Sequence, residues 1–391
     1  MSLQIFLAMI LRKHQLLNEI KDGSIFLFGA RQTGKTTALE QQFKNAIFFD
    51  LLDGDLKRRF RERPALLFEL LQDKTADTIV VIDEIAEVPE LLNEVHRLIQ
   101  KKGLRFVLCG SSARKLKRKG YNTLGGRAVP CYFFPFVSAE LPDFDLEKAL
   151  LWGMLPPHYL ASRPQRLLSA YIDIYLKEEI KEEALSRNID IFQRFLNVAA
   201  LSSGEILNYA NVASDCGISA NTVKEYFGIL EDTLIGYTLP AYTKTIKRKV
   251  TQSPKFYFFD VGIYNYLMRR TSLTPGTPEY GHAFEHFVIQ ELRAYFGYRH
   301  NDKQLSYWHT YGGKEIDLVI GDAECGIEIK SSDEIYGKHL GNFKDYHDEF
   351  PNSRCIIVSN DKMSRRHDHI EILYVKDFLR MLWNDELFPA E

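Results

Sequence analysis

Short apolar runs alternate with polar, helix-forming stretches from Ile25 onward: SIFLFGA, AIFFDLL, DTIVVIDEI and LRFVLCGSS. Runs of that length between helical segments predict the buried strands of a parallel sheet with helices on both faces. The pattern ends near Pro142. From about residue 150 to 240 helical periodicity dominates, as in AYIDIYLKEEIKEEAL and DIFQRFLNVAALSSG. From KFYFFDVG onward strands and helices mix again, and TSLTPGTPEYG is the linker candidate because of its prolines and glycines. The expected layout is an N-terminal helix over 1–20, an α/β domain over 21–145, a helical region over 146–270 and a second α/β domain over 271–391. There is no internal repeat and no low-complexity tract.

Composition narrows the class. The chain has 391 residues, 45% of them hydrophobic and 26% charged, which excludes a disordered or fibrous protein. In MSLQIFLAMILRKHQLLNEI the basic residues follow the apolar run instead of preceding it, so an amphipathic helix is expected and not a signal peptide. No stretch reaches the roughly 18 uninterrupted apolar residues of a membrane span. Five scattered cysteines without a CxxC fit neither a disulfide framework nor a zinc ribbon. A soluble, cytoplasmic protein is the expectation.

Candidate chemistry begins at the end of the first strand. Gly29-Ala30-Arg31-Gln32-Thr33-Gly34-Lys35-Thr36, followed by Thr37, fits GxxxxGK[ST] between the strand IFLF and a helix expected to begin near Thr36. Backbone amides of such a loop close around phosphate, Lys35 reaches the β and γ phosphates of ATP, and Thr36 offers its hydroxyl to Mg2+. The second half of a site of this kind is an acid at the end of a neighbouring buried strand. Ile79-Val-Val-Ile82 followed by Asp83-Glu84 supplies it, Asp83 for the metal and Glu84 to polarise the attacking water. The strand ending in Gly110-Ser111-Ser112 offers Ser112 as a polar group beside the γ phosphate. Arg127, with Arg114 as the other candidate, would neutralise charge developing there, from the same chain or a neighbouring subunit.

The ordered set GARQTGKTT, VVIDEIAEVPELLNEVHRLI, LRFVLCGSSARKLK and LGGRAVPCYFFPFVSAEL resembles a family of uncharacterised bacterial and archaeal AAA-type ATPases with a C-terminal domain of unknown function. The resemblance implies an ATP-binding core, then a winged-helix-like segment and a nuclease-like fold. It leaves the biological substrate open.

Residues 206–239, ILNYANVASDCGISANTVKEYFGILEDTLIGYTL, read as helix, turn at Cys216-Gly217-Ile218, Ser219 cap and second helix, with Val223, Phe227 and Leu230 as its buried stripe. The spacing resembles a winged helix over 206–255. In DNA the second helix would enter the major groove while Lys244, Lys247, Arg248, Lys249 and Lys255 met phosphate. Only Asn221, Thr222, Lys224 and Glu225 are offered to base edges, and winged helices also dock proteins.

In the last third, GHAFEHFVIQELRAYF precedes the strands LSYWHTY, KEIDLVIGD and ECGIEIKSS. Glu328 and Lys330, two apart on one strand, share a face. Asp317 and Glu328 would share a divalent cation, Lys330 would sit by the attacking water or scissile phosphate, and Glu285 would be a third carboxylate. This pattern resembles the PD-(D/E)xK nuclease superfamily, with Ile316 where proline is usual. His282-Ala-Phe-Glu285-His286 also fits the inverted zinc-protease motif, yet no third ligand is marked downstream, and two partly exposed histidines flanking a nuclease-type glutamate is the plainer reading. Tyr307, Trp308 and Tyr311 are base-stacking candidates or simple sheet packing.

The sequence therefore predicts an α/β protein: an AAA-type P-loop sheet, a helical winged-helix region and a PD-(D/E)xK-like domain. Its expected work is ATP binding and hydrolysis coupled to a C-terminal half that binds or cuts DNA. The alternative is an ATP-dependent protein-docking module with an inactive nuclease fold, and an oligomer is compatible with either. Net charge is −2, but residues 1–150 carry 23 basic and 19 acidic residues, 151–275 carry 14 and 12, and the remainder 13 and 21. The acidic excess falls on the nuclease-like part, so a DNA grip is expected from the Lys244–Lys255 loop and the Arg114–Lys119 cluster.

Overall fold

The computed structural model describes residues 10–111, 124–176, 189–244, 253–301, 303–310 and 312–389. The expectations for Ser112, the Arg114–Lys119 cluster, Lys247, Arg248, Lys249, Tyr311 and the first nine residues of the N-terminal helix lie outside them. The chain divides into two compact units, one running to Phe136 and including Asp232–Ile235, the other comprising Val137–Glu231 and the chain from Gly236.

The first unit is a five-stranded sheet of β1 (Ser24–Phe28), β2 (Ile47–Asp50), β3 (Ile79–Asp83), β4 (Arg105–Gly110) and β5 (Ala128–Tyr132). Its order is β2-β3-β4-β1-β5 and every pair is parallel. Alternate residues explain why the strands are apolar throughout. Ile25 and Leu27 pack on one face with Ala38, Leu39 and Phe43, whereas Phe26 and Phe28 pack on the other with Leu67, Leu91, Val95 and Leu98. Each such side chain contributes about 1.5–3 kcal/mol on burial, so helices are required on both faces. Among the described residues before β1, a single helical turn is formed, Leu16–Glu19. The helix after the phosphate loop begins at Lys35, one residue earlier than expected.

In the second unit, helices Tyr209–Cys216 and Ala220–Asp232 are joined by a turn at Gly217, and Ser219 Oγ accepts from Thr222 N at 3.1 Å. Val223, Phe227 and Leu230 are buried, with Phe227 edge-on to Phe195 at 4.9 Å and Phe256 at 4.8 Å. The two-stranded antiparallel ribbon of β6 (Gly236–Leu239) and β7 (Lys255–Phe258) follows.

The rest of the unit is built on a mixed six-stranded sheet: β8 (Leu305–His309), β9 (Glu315–Ile320), β10 (Cys325–Lys330), β11 (Arg354–Ser359), β12 (Arg365–His367) and β13 (Ile370–Tyr374), in the order β12-β13-β11-β10-β9-β8. β10, β11 and β13 are mutually parallel and the other pairings antiparallel. The helix Pro278–Tyr298, capped by Thr277, packs against β10. The helix Gly337–Glu349 buries Phe343 and Tyr346 with Trp308, Ile316, Cys355 and Ile357. Among the described residues no helix is long and apolar enough to cross a membrane.

Packing bears on several expectations. Tyr307 and Trp308 are fully buried, so they are core and present no face for bases. His282 is exposed but His286 is buried, its Nε2 2.7 Å from the Phe258 carbonyl, so the two histidines do not converge on a zinc ion. Lys255, expected among the cations that would meet phosphate, points inward and is 4% exposed. All five cysteines are buried and none forms a disulfide.

Candidate functional site

The phosphate loop lies at the carboxyl end of β1. Gly34, at φ 90°, caps the following helix, a backbone conformation that glycine adopts without penalty. Gly29 is excluded from carrying a side chain because its Cβ would lie 2.5 Å from the Phe133 carbonyl oxygen. Lys35 is nearly buried and its ammonium donates to the carbonyls of Gly29 at 2.7 Å and Ala30 at 3.0 Å. Thr33 donates its hydroxyl to Ala30 O at 2.8 Å.

The acidic half arrives by topology. With β4 lying between β1 and β3, the ends of β1 and β3 flank a common cleft. There Thr36 Oγ1 donates to Asp83 Oδ2 at 2.7 Å, and Asp83 Oδ1 accepts from Glu84 N at 3.0 Å. Glu84 adopts φ 52°, ψ 47°, a left-handed conformation that costs a non-glycine residue roughly 1–2 kcal/mol. At the end of β4, burial and then Asp83 push the Cys109 thiol well above its usual range, so it stays neutral.

Arg127 is not brought to this cleft. It precedes Ala128, which pairs with Ser24 at the amino ends of β5 and β1, and the loop lies beyond Phe28 at the opposite edge of the sheet. Five residues of strand span about 16 Å, and the Arg127 side chain turns back to Leu124 O at 3.3 Å. The structure thus places Arg127 away from its own chain's phosphate loop.

Arg12 is the residue that sequence reasoning missed. It is 6% exposed and donates to Thr33 O at 2.6 Å, Phe134 O at 2.7 Å and Pro135 O at 3.0 Å, with its guanidinium 4.2 Å from the Phe133 ring centroid. It ties the phosphate loop to the chain leaving β5. Nothing in its local pattern distinguishes it from a solvated arginine.

A second cluster occupies the sheet of the other unit. The β9/β10 register pairs Leu318 with Ile327, which sets Asp317 across from Glu328. Asp317 Oδ2 accepts from Ile329 N at 2.6 Å. Glu328 Oε1 is 2.6 Å from Lys330 Nζ and accepts from Asn342 Nδ2 at 3.0 Å, while its buried Oε2 has no hydrogen-bond partner among the described residues. Glu285 accepts from the Tyr257 hydroxyl at 2.7 Å and lies 3.7 Å from Lys255 Nζ, which also donates to Glu315.

Burial, with Asp317 beside it, pushes Glu328 up to about 8. Burial and then Glu285 raise Asp317. Burial would lower Lys255, but Glu285, Glu315 and Asp317 together raise it above the ordinary lysine range. Asp317, Glu328, Lys330 and Glu285 thus come together, with Lys255, Glu315 and Asn342 added to them. The unpartnered Glu328 oxygen, facing hard carboxylate donors, fits a divalent cation such as Mg2+.

Comparison with known proteins agrees with this division. Residues 21–141 match an AAA domain, 143–274 a domain of unknown function (DUF8612) and 280–378 another (DUF4143). The chain thus carries an AAA domain followed toward its carboxyl end by a DUF4143 domain. The uncharacterized proteins Mb2031c of Mycobacterium bovis and Rv2008c of Mycobacterium tuberculosis are each 24% identical to it over 318 residues, 78% of this chain and 70% of theirs. Among solved structures, the Walker-type ATPase PABY2304 of Pyrococcus abyssi aligns at 14% identity and TM-score 0.45, over 66% of this chain and 94% of its own. A STAND protein with a tetratricopeptide repeat sensor, PH0952 of Pyrococcus horikoshii, aligns at 13% identity and TM-score 0.24, over 72% and 48%.

Proposed function

We propose that the protein binds ATP with Mg2+ at the Gly29–Thr37 loop and hydrolyses it. The observation that carries this reading is the 2.7 Å hydrogen bond from Thr36 to Asp83, which joins the two halves of the site. Loop amides and the helix N-terminus would hold the β and γ phosphates, with Ala30, Arg31, Gln32, Thr33 and Thr37 supplying backbone around them. Mg2+ supplies charge neutralisation at the transferring phosphoryl group. Thr36 and Asp83 would hold it, and Glu84 would orient water. The arginine that meets the γ phosphate then comes from a residue other than this chain's Arg127. Lys35→Ala is expected to abolish ATP binding in equilibrium titration with a fluorescent nucleotide. Tight binding by that variant would refute the assignment.

A second reading rests on the carboxylate cluster. With every group ionised, Glu285, Glu315, Asp317 and Glu328 against Lys255 and Lys330 carry a formal charge of −2, which one divalent cation neutralises. This supports a metal-dependent phosphodiesterase whose substrate is DNA, presented by the Tyr209–Phe258 segment and gated by ATP. Lys255 is spent within the cluster, so phosphate contact would fall to other cations. With Mg2+ or Mn2+ and single- and double-stranded DNA, wild type should cleave and Lys330→Ala should lose at least about a hundredfold in rate. Metal-independent cleavage, or cleavage undiminished in Lys330→Ala, counts against it. A nucleotide-dependent protein partner that survives nuclease treatment would instead favour a docking module built on an inactive nuclease fold.

A further inference from the structure

A second group of metal-competent side chains lies in the same sheet and shares no residue with the carboxylate cluster. His347 is in the last turn of the helix Gly337–Glu349, Cys355 is the second residue of β11, and His369 sits in the tight turn between β12 and β13. The register pairs Cys355 with Ile370, which brings the turn beside the thiol. One ligand atom from each of the three residues lies within 4.8 Å of the others. The two imidazoles are stacked, with centroids 3.9 Å apart and planes inclined by 19°.

Their polar atoms are short of partners. His347 Nδ1 and His369 Nε2 are buried and have no hydrogen-bond partner among the described residues, and Cys355 Sγ has only a 3.7 Å contact with Ser353 O. A buried imidazole nitrogen without a partner is unfavourable, because it gives up its hydration and gains nothing in return. Unpartnered nitrogens on both imidazoles, in residues grouped with one thiol, form an arrangement that folding alone disfavours and a cation would satisfy.

The geometry points to a transition-metal site of the zinc class at His347, Cys355 and His369. Two imidazoles and a thiolate are a borderline-soft set that selects Zn2+ or Co2+ over Mg2+ and Ca2+. Binding breaks the Cys355 S–H bond and forms a metal–thiolate bond, releasing one proton to solvent. Three protein ligands leave a fourth position for water. The ion would clip the end of the helix Gly337–Glu349 to β11 and the β12–β13 turn, three segments otherwise joined only by packing and sheet bonds.

The test uses the full chain, stripped with a chelator, desalted and titrated with Co2+ in the presence of a large excess of Mg2+. Expected are one equivalent bound with a thiolate-to-cobalt charge-transfer band, displacement by Zn2+, and loss of the band in Cys355→Ser and in His369→Ala. Circular dichroism of each variant establishes that it is folded. Because His369 is in a surface turn, its variant tests the site if Cys355→Ser does not fold. No band at saturating Co2+, a band that persists in Cys355→Ser, or one that survives both His347→Ala and His369→Ala would each overturn the assignment. Cys109 neighbours Asp83 in the phosphate-loop site, so only a band that is lost in Cys355→Ser reports the site at His347, Cys355 and His369.

Discussion

Glu84 shows most directly how one residue's conformation bears on chemistry. A glutamate has no intrinsic reason to occupy left-handed backbone, and the cost is tolerated where the next strand-end group must turn into the cleft beside Asp83. Stability and activity should therefore move in opposite directions at this position. Glu84→Gly is expected to raise unfolding free energy by about 1 kcal/mol in urea melts and to abolish ATP turnover. Glu84→Gln should abolish turnover with nucleotide affinity retained. Turnover near the wild-type rate in either variant would assign the water-orienting role elsewhere. The residue-level signals that were readable in the sequence are those made by neighbours in the chain, such as Gly34, Lys35 and Thr36. Arg12 and Lys255 were not readable, because each looks like a solvated cation until the fold supplies partners 122 and 60 residues away.

Among elements, the contact between the helices Leu146–Trp152 and Val261–Leu267 is fixed by backbone proximity. Asp260 is fully buried and accepts from Met154 N at 2.7 Å and Gly262 N at 3.0 Å, capping one helix while holding the end of the other. A Cβ on Gly262 would lie 2.2 Å from Trp152 O, an atom that cannot rotate away. Gly262→Ala should cost about 3 kcal/mol. Gly228, within the helix Ala220–Asp232, has nothing within 4 Å of its would-be Cβ, so Gly228→Ala should stabilise by about 0.5–1 kcal/mol. Denaturant melts of the pair check both signs, and equal effects would contradict the close approach. Short continuous apolar runs bounded by polar, helix-forming stretches made the strands legible. The contact at Gly262 was not, since a glycine required by a neighbouring chain reads like any other.

At the scale of the whole molecule, buried titratable groups set the response to acid. Burial lowers both His158 and His286 to about 4. Unfolded, each binds a proton near the ordinary value of about 6.5, so the unfolded state holds more protons between those limits. Their contribution is complete above pH 6.5 and is lost as pH falls through 4. For His286 this is up to about 3 kcal/mol. Asp260, raised by burial to about 6, and Glu291, raised by burial to about 7, act in the opposite sense over much of that range. The wild-type profile is thus flattened by offset. His286→Gln should lose stability less steeply between pH 6.5 and 4 than wild type, by up to one proton's worth of slope. Parallel profiles from urea melts across that range would mean that His286 is already charged in the folded protein.

Arg12 also decides where the AAA domain can be cut. The AAA match begins at residue 21, yet Arg12 supports Thr33, Phe134 and Pro135, and Leu16 and Ile20 fill the face of the sheet beneath the phosphate loop. A fragment trimmed to the match would expose that apolar face and leave three carbonyls without their donor. The working boundary for expression, crystallisation or transplantation of this domain lies upstream of Arg12, outside the span of the AAA match.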